Sequence, residues 1–363
     1  MEKNFHALGL MSGTSGDGVD SSVISSNGKD NVIIKYDRFD AYPTSLSTKI
    51  HKLKDSITEK RDLLKLSIEI EQLEREITDF HADIANKISK RIKFELIGFH
   101  GHTIYHNSEE KISKQIGLGN RLSKITNKKV IYNFRQNDIE NGGEGAPLSP
   151  IYHLTIARSL FNKKKIKIPI SVLNIGGISN ITEIDKEFNI FSYDIGPGNC
   201  LIDRWVRKNS NNLFDKNGGF AKEGKIDKFI FDQFLENYHY SKVNNKRSLD
   251  TNDFDISFAK GLSLENGAAT ITDITAELIS KKIGVNDIYV CGGGRKNEFL
   301  IDSIKTKVKN KISMIDLLDI DGDFIESQAF AFLAIRTFLN LPISFPSTTN
   351  CKNPCTGGII VEN

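Results

Sequence analysis

The sequence predicts an α/β protein made of two related halves, and three observations carry that expectation. Short apolar runs with strand character alternate with amphipathic helical segments. A turn rich in Gly, Ser and Thr follows the first strand of each half, at residues 12–18 and 176–180. At 363 residues the chain is longer than one typical domain. Its 39% hydrophobic and 26% charged residues leave ample material for a core.

In the first half, residues 5–11, 19–25 and 31–36 read as strands. A long polar helix follows, with apolar residues at Leu63, Leu66, Ile70, Leu73, Ile77, Phe80 and Ile84 in steps of three and four. That stripe suits a helix laid on a sheet, with a coiled coil as the other reading. It also offers a surface for a second copy of the chain. Residues 94–100 form a buried strand ending in His-Gly-His-Thr. The stretch 133–150, rich in Gly, Pro, Asn and charge, reads as a crossover loop. The lobe boundary is placed there, giving one lobe from residues 1–133 plus 344–363 and another from residues 134–343.

The second half restarts with strands at 171–175, 181–184 and 191–194, then a helix bearing Asp203 and Trp205. Helices at 227–238 and 265–282, a strand at 287–291 and a last helix at about 324–339 complete it. The two halves share a layout of strand, Gly/Ser/Thr turn, strand.

Charge excludes two classes of partner. The 49 basic residues are offset by 46 acidic ones, leaving +3, which favours neither nucleic acid nor a membrane surface. The basic run 163–167 reads as a solvated loop. No stretch approaches the roughly 18 apolar residues a membrane span needs, and the first residues lack the apolar core of a secretion signal. Of the four cysteines, Cys200 and Cys291 sit in apolar or Gly-rich surroundings. Cys351 and Cys355 lack a second ligand pair at zinc spacing, which argues against a metal there. A reducing, cytoplasmic setting is expected.

Triphosphate binding needs many backbone N–H donors close together with no side chains in the way. Gly13, Thr14, Ser15, Gly16, Asp17 and Gly18 supply such a turn with added hydroxyls, and Asp17 can hold the hydrated Mg²⁺ that accompanies ATP. No G-x-x-x-x-G-K-[ST] and no G-x-G-x-x-G heads a strand–helix unit, so neither a P-loop nor a dinucleotide site is expected. Three further turns follow strands: Gly176, Gly177, Ser179 and Asn180; Gly196, Gly198 and Asn199; and Gly292, Gly293 and Gly294. Four turns in this order match actin-like (ribonuclease H-like) nucleotide-binding folds, with two such lobes and an ATP cleft between them.

Asp194 ends a strand beside the third turn and is the candidate general base; capping the following helix is the alternative. Arg135 and Asp138 can grip a substrate carboxylate and hydroxyl, or form a surface ion pair. Glu326 opens the last helix, where a carboxylate also complements the helix dipole. His100 and His102 flank Gly101 without the Asp, Glu or Cys spacing of a metal site, leaving substrate contact or a satisfied loop role.

Together these motifs resemble the anhydro-N-acetylmuramic acid kinase family. The resemblance runs through Gly9–Ser15 with Asp17, Gly18, Val19 and Asp20; His100, Gly101 and Thr103; Phe134, Arg135 and Asp138; and Gly142 to Leu148. It continues in Asn174 to Asn180, Asp194 with Gly196 to Asn199, Cys291 to Gly294 with Asn297, and Glu326 with Ala329 to Ala331. It implies an ATP- and Mg²⁺-dependent kinase. Such an enzyme opens the ring of 1,6-anhydro-N-acetylmuramic acid with water and phosphorylates O6, acting on sugars of cell-wall turnover. Asp194 would activate the water and Glu326 assist. Gly13 to Asp20 would hold the phosphates, and Ser12, His100, Thr103, Arg135 and Asp138 the sugar. A kinase for another small sugar or acid is the alternative. Gly16 stands where a larger apolar residue is common, which predicts a looser loop. His102 replaces a common glutamine, and Thr356-Gly357-Gly358-Ile359 is a worn form of the family ending.

Overall fold

A computed structural model describes residues 3–238 and 249–362. Its strands are β1 (Phe5–Ser12), β2 (Gly18–Ser26), β3 (Val32–Ala41), β4 (Leu96–Asn107), β5 (Ile112–Ile116) and β6 (Lys129–Tyr132). They continue as β7 (Ile170–Ile175), β8 (Ile178–Ile184), β9 (Ile190–Pro197), β10 (Asp287–Cys291), β11 (Ile312–Met314) and β12 (Ile359–Val361). The chain forms two compact units, Met1–Ile166 with Asp323–Asn363 and Lys167–Gly322.

The two units repeat one topology. In the second, the sheet order is β11-β10-β7-β8-β9, with β7, β8 and β9 successively antiparallel and β10 and β11 parallel to β7. In the first, β6-β4-β1-β2-β3 has the same order and directions, extended by β12 on β6 and by β5 on β4. Three antiparallel strands followed by two parallel to the first is the actin-like arrangement, so the expected fold class holds for each unit. A parallel strand needs a crossover, and the crossovers are helical. As a result the carboxyl ends of β1, β4 and β6 share one edge of the first sheet, and those of β7, β9 and β10 one edge of the second.

The units part at 166/167 and 322/323, whereas the sequence suggested 133/134 and 343/344. Packing explains the difference. The helix Pro150–Asn162 belongs with the first unit, where Tyr152 donates to Gln328 Oε1 at 2.8 Å and its ring lies 5.6 Å from that of Phe332.

The long helical segment is broken at Leu66 into Lys60–Lys65 and Ser67–Ser89. Its stripe of Ile70, Leu73, Ile77 and Ile84 is buried in one core with Leu8, Leu10 and Phe99. Those four residues of the stripe are spent within the chain, as a helix laid on a sheet requires, while Leu64 and Ile68 of the same segment are exposed. A preceding helix, Thr44–Ser56, buries Leu46, Ile50 and Leu53 in the same core.

The helix Ile325–Phe338 is buried along nearly its whole length and lies on β1, β2 and β4. Gly9 and Gly98 are register partners beneath it. A Cβ on Gly9 would fall 1.9 Å from the Ser327 carbonyl oxygen, and one on Gly98 2.2 Å from that of Phe330. Backbone therefore packs on backbone, and no larger residue fits.

Gly98→Ala is expected to destabilise the protein by at least about 1–3 kcal/mol, the usual cost of overpacking a filled core. Gly293→Ala, where an added Cβ meets nothing within 4 Å, serves as the neutral control in the same denaturant titration.

Candidate active site

Three of the four glycine turns meet at the carboxyl edge of the second sheet. Gly176 and Gly177 join β7 to β8, and their carbonyls accept bonds from the turn after β9. The Gly198 N–H donates to Gly177 O at 2.9 Å, Asn199 N–H to Gly176 O at 2.8 Å and Cys200 N–H to Gly177 O at 3.1 Å. A Cβ on Gly198 would lie 2.3 Å from Gly176 O, so only glycine permits this approach. Ser179 Oγ ties the same turns by donating to Pro197 O at 3.2 Å. The helix Cys200–Asn209 starts here, with its first N–H bonded to Gly177 O.

The third turn lies against the end of β7. Gly292 has φ +80°, and its Cβ would meet Asn174 Oδ1 at 2.3 Å, while one on Gly294 would meet the Ile175 side chain at 2.2 Å. Behind it, the buried Arg295 makes a bidentate pair with Asp316, 2.8 Å at both contacts, and donates to Gly292 O at 3.2 Å. The guanidinium holds the Asp316 carboxyl below its usual range. Arg295 was not among the expected site residues. Its one sequence signal is that it directly follows the triple glycine.

Asp194 sits at this edge on β9, opposite Asn180 across an irregularity in the ladder between Ser179 and Asn180. It is 9% exposed, and its Oδ2 accepts the Leu249 N–H at 2.7 Å. Asp194 therefore does not end its strand, as the sequence suggested, but lies three residues before the end at Pro197, close in the ladder to the Gly176 and Gly198 turns and with one carboxylate oxygen oriented by backbone.

In the first unit the hairpin joining β1 to β2 exposes Thr14, Ser15 and Asp17 and buries Ser12 and Gly16. Ser15 Oγ donates to Asp17 Oδ1 at 2.5 Å. The looser loop expected at Gly16 is not what forms. Gly16 adopts φ +59°, its N–H donates to Gly13 O at 3.1 Å, and Ser47 Oγ donates to its carbonyl at 2.8 Å. Val19 is in the core and Asp20 in the ladder opposite Met11 and Phe39, so these two belong to the strand rather than the turn. The exposed Asp17 carboxylate at a turn suits Mg²⁺, which keeps most of its waters and takes one or two carboxylates.

At the same edge, Arg135 donates to His100 Nε2 at 3.0 Å and to Gly145 O at 2.8 Å. A guanidinium offers no acceptor, so His100 Nε2 carries the lone pair and Nδ1–H donates to Gly101 O at 3.0 Å. His100 is thus neutral, with its pKa driven well down by burial and by the Arg135 charge. A cavity of about 410 Å³ opens beside His100, lined also by Gln115, Tyr132, Asn133 and Gln136. Thr103 Oγ1 accepts from Gln115 Nε2 at 3.3 Å and so adjoins that cavity.

Two expected sugar contacts lie elsewhere. Asp138 is fully buried and braces the 133–150 loop: Oδ2 accepts Gly145 N–H at 2.7 Å and Oδ1 accepts Thr349 Oγ1–H at 2.6 Å. Its carboxylate ties its own loop to the segment bearing Thr349, and among the described residues it pairs with no arginine. Ser12 is 2% exposed and bonds His102 Nδ1 at 3.1 Å. His102 has a buried Nε2 without a partner, and burial, with Lys54, His51 and His81 nearby, brings its pKa down to about 3. Glu326 is half-buried in the first turn of Ile325–Phe338, in the first unit, whereas Asp194 belongs to the second.

A family model described as anhydro-N-acetylmuramic acid kinase matches residues 5–363. A curated protein of that name from Pelagibacter ubique is 47% identical over the full length of both chains. Namesakes from Brucella canis (35% identical, 98% of each chain) and Rhodospirillum rubrum (34%, 97% of this chain and 93% of that one) are also similar. Among the described residues no helix is long and apolar enough to cross a membrane.

The buried histidines predict acid sensitivity. His81 is lowered to about 4 and His102 to about 3, chiefly by burial. Below about pH 6.5 the unfolded chain takes up a proton at each and the folded chain does not. Their contribution is present above that pH and is lost as pH falls toward 4 and 3. His102→Gln should flatten the stability–pH slope between pH 6 and 4 by about 1.4 kcal/mol per unit, read by denaturation at each pH. An unchanged slope would contradict this.

Proposed function

The chain belongs to the anhydro-N-acetylmuramic acid kinase family, and from that premise we propose that it phosphorylates 1,6-anhydro-N-acetylmuramic acid with ATP and Mg²⁺. Water opens the anhydro ring and the products are N-acetylmuramic acid 6-phosphate and ADP. The observation that carries the reading is the convergence of three glycine turns on the strand end that bears Asp194. That edge presents backbone donors with a carboxylate among them, which phosphoryl transfer to an oxygen needs.

In this mechanism Asp194 removes a proton from the water that attacks the anomeric carbon. The C1–O6 bond breaks, and O6 leaves with the bonding pair to attack the γ-phosphorus, releasing ADP. One deprotonation thus both opens the ring and generates the phosphate acceptor. The Leu249 N–H fixes the orientation of the base, and Glu326 assists at the water. The turns at Gly13–Gly18, Gly176–Asn180 and Gly196–Asn199 hold phosphates, and Gly292–Gly294 approaches the adenosine. Asp17 would hold the metal, which would supply positive charge against that of the triphosphate.

Arg135 takes the sugar carboxylate, with His100 beside the 410 Å³ cavity receiving the rest of the ring. Asp138 serves the sugar through the loop it braces, and Ser12 and His102 support the hairpin from below. The substrate is a product of cell-wall turnover, and the need for ATP suits a cytoplasmic enzyme.

ADP release should require both Mg²⁺ and the anhydro-sugar, with ordinary hexoses and acetate inactive. Asp194→Asn should lower kcat by about 100- to 10,000-fold, the usual contribution of a general base, while ATP affinity stays within twofold. Near-normal turnover in that variant would remove Asp194 from the mechanism, and preference for a plain hexose would overturn the substrate assignment.

A further inference from the structure

We propose that Asp138, Cys351 and Cys355 form a zinc site that clamps the C-terminal segment to the loop carrying Arg135. Two thiols and a carboxylate, drawn from segments some two hundred residues apart, place one ligand atom each within 4.8 Å of the others. Cys355 Sγ lies 3.8 Å from Asp138 Oδ1. In a tetrahedral zinc site, with bonds of about 2.3 Å to sulfur and about 2.0 Å to oxygen, that edge would be about 3.5 Å. That edge therefore needs little contraction to close on an ion, and the other two already lie within 4.8 Å.

Two further features point the same way. Asp138 is a fully buried carboxylate that no lysine or arginine pairs with among the described residues, and a buried anion without a counter-charge is costly. Its orientation is already set, because the Gly145 N–H holds Oδ2 and the Thr349 hydroxyl reaches Oδ1 on the thiol side. Such outer bonds are what orient ligands in metal sites. Cys351 is 1% exposed, whereas Cys355 is only half-buried, so an ion and a completing water have an entry at that corner.

The ligand set selects the metal. Thiolates favour zinc over magnesium, which keeps this site distinct from the one serving the nucleotide. Binding would deprotonate both thiols, so that one Zn²⁺ replaces two protons and the charge of the pocket is unchanged. The ion would cross-link segments that already touch through Glu144 N–H to Thr349 O at 2.8 Å and Lys352 N–H to Asn141 O at 3.1 Å.

The test uses the full-length protein, stripped with chelator and kept reduced with a phosphine, then titrated with CoCl₂ and ZnCl₂. One equivalent of cobalt should produce a thiolate charge-transfer band with the intense visible bands of a tetrahedral ion, and zinc should bleach both. Cys351→Ser and Cys355→Ser should each lose the band and weaken zinc binding by more than the roughly 10- to 100-fold typical of losing an outer-shell partner. Cys200→Ser should behave as the parent. Zinc should also slow alkylation of Cys355 in the unmodified protein, a readout that no variant's folding can confound. Absence of the charge-transfer band, its persistence in either cysteine variant, or alkylation indifferent to zinc would each overturn the proposal.

Discussion

The depth at which one helix sits on one sheet governs most of the first unit. Gly9 and Gly98, side by side on β1 and β4, let the carbonyls of Ser327 and Phe330 rest on bare backbone. At that depth Phe330 reaches two rings that matter: its centroid lies 4.5 Å from His100 and 5.3 Å from Phe134. His100 receives the Arg135 hydrogen bond, and Phe134 precedes Arg135 in the chain. The position of the guanidinium is thus inherited, through one aromatic wedge, from two missing side chains. The same helix turns Ser327 toward Ser22 at 2.6 Å and Gln328 toward Asp37 at 3.1 Å, closing a polar network that fixes its rotation as well as its depth.

The second unit applies the same rule at its edge rather than its face. Gly198 against Gly176 and Gly292 against Asn174 bring three turns within backbone reach of one another. Removing side chains there lets the turns approach closely enough to lock by hydrogen bonds. Because the topology repeats, both units gather their turns at the carboxyl ends of parallel strands, where open α/β sheets present ligand sites.

Much of this was legible along the chain. β1, β2, β7 and β10 are short apolar runs closed by glycine, and their positions match expectation within a residue or two. The heptad-like stripe from Leu63 was legible as a helix, but its break at Leu66 was not, since no Pro or Gly marks it. The helix Thr44–Ser56 does carry a signal in Leu46, Ile50 and Leu53, diluted by the Ser, Thr and Lys between them. The lobe boundary and the role of Asp138 depend on contacts between distant segments, Tyr152 with Gln328 and Asp138 with Thr349. Local pattern holds no record of such pairings. A carboxylate in a Gly-rich loop looks the same in sequence whether it faces a ligand or the loop itself.

Arg135 is positioned in part by neutral acceptors: it donates to Gly145 O and to His100 Nε2. A carboxylate adds an opposite charge that these two acceptors lack, and its two oxygens match the planar fork of the guanidinium. The bonds to Gly145 O and His100 Nε2 meanwhile hold the side chain in place. The arrangement requires His100 to stay uncharged, since an imidazolium would repel the guanidinium and offer it no lone pair. Burial against Phe330 enforces that neutrality, so the ring that sets the position of the arginine also keeps its resting partner an acceptor.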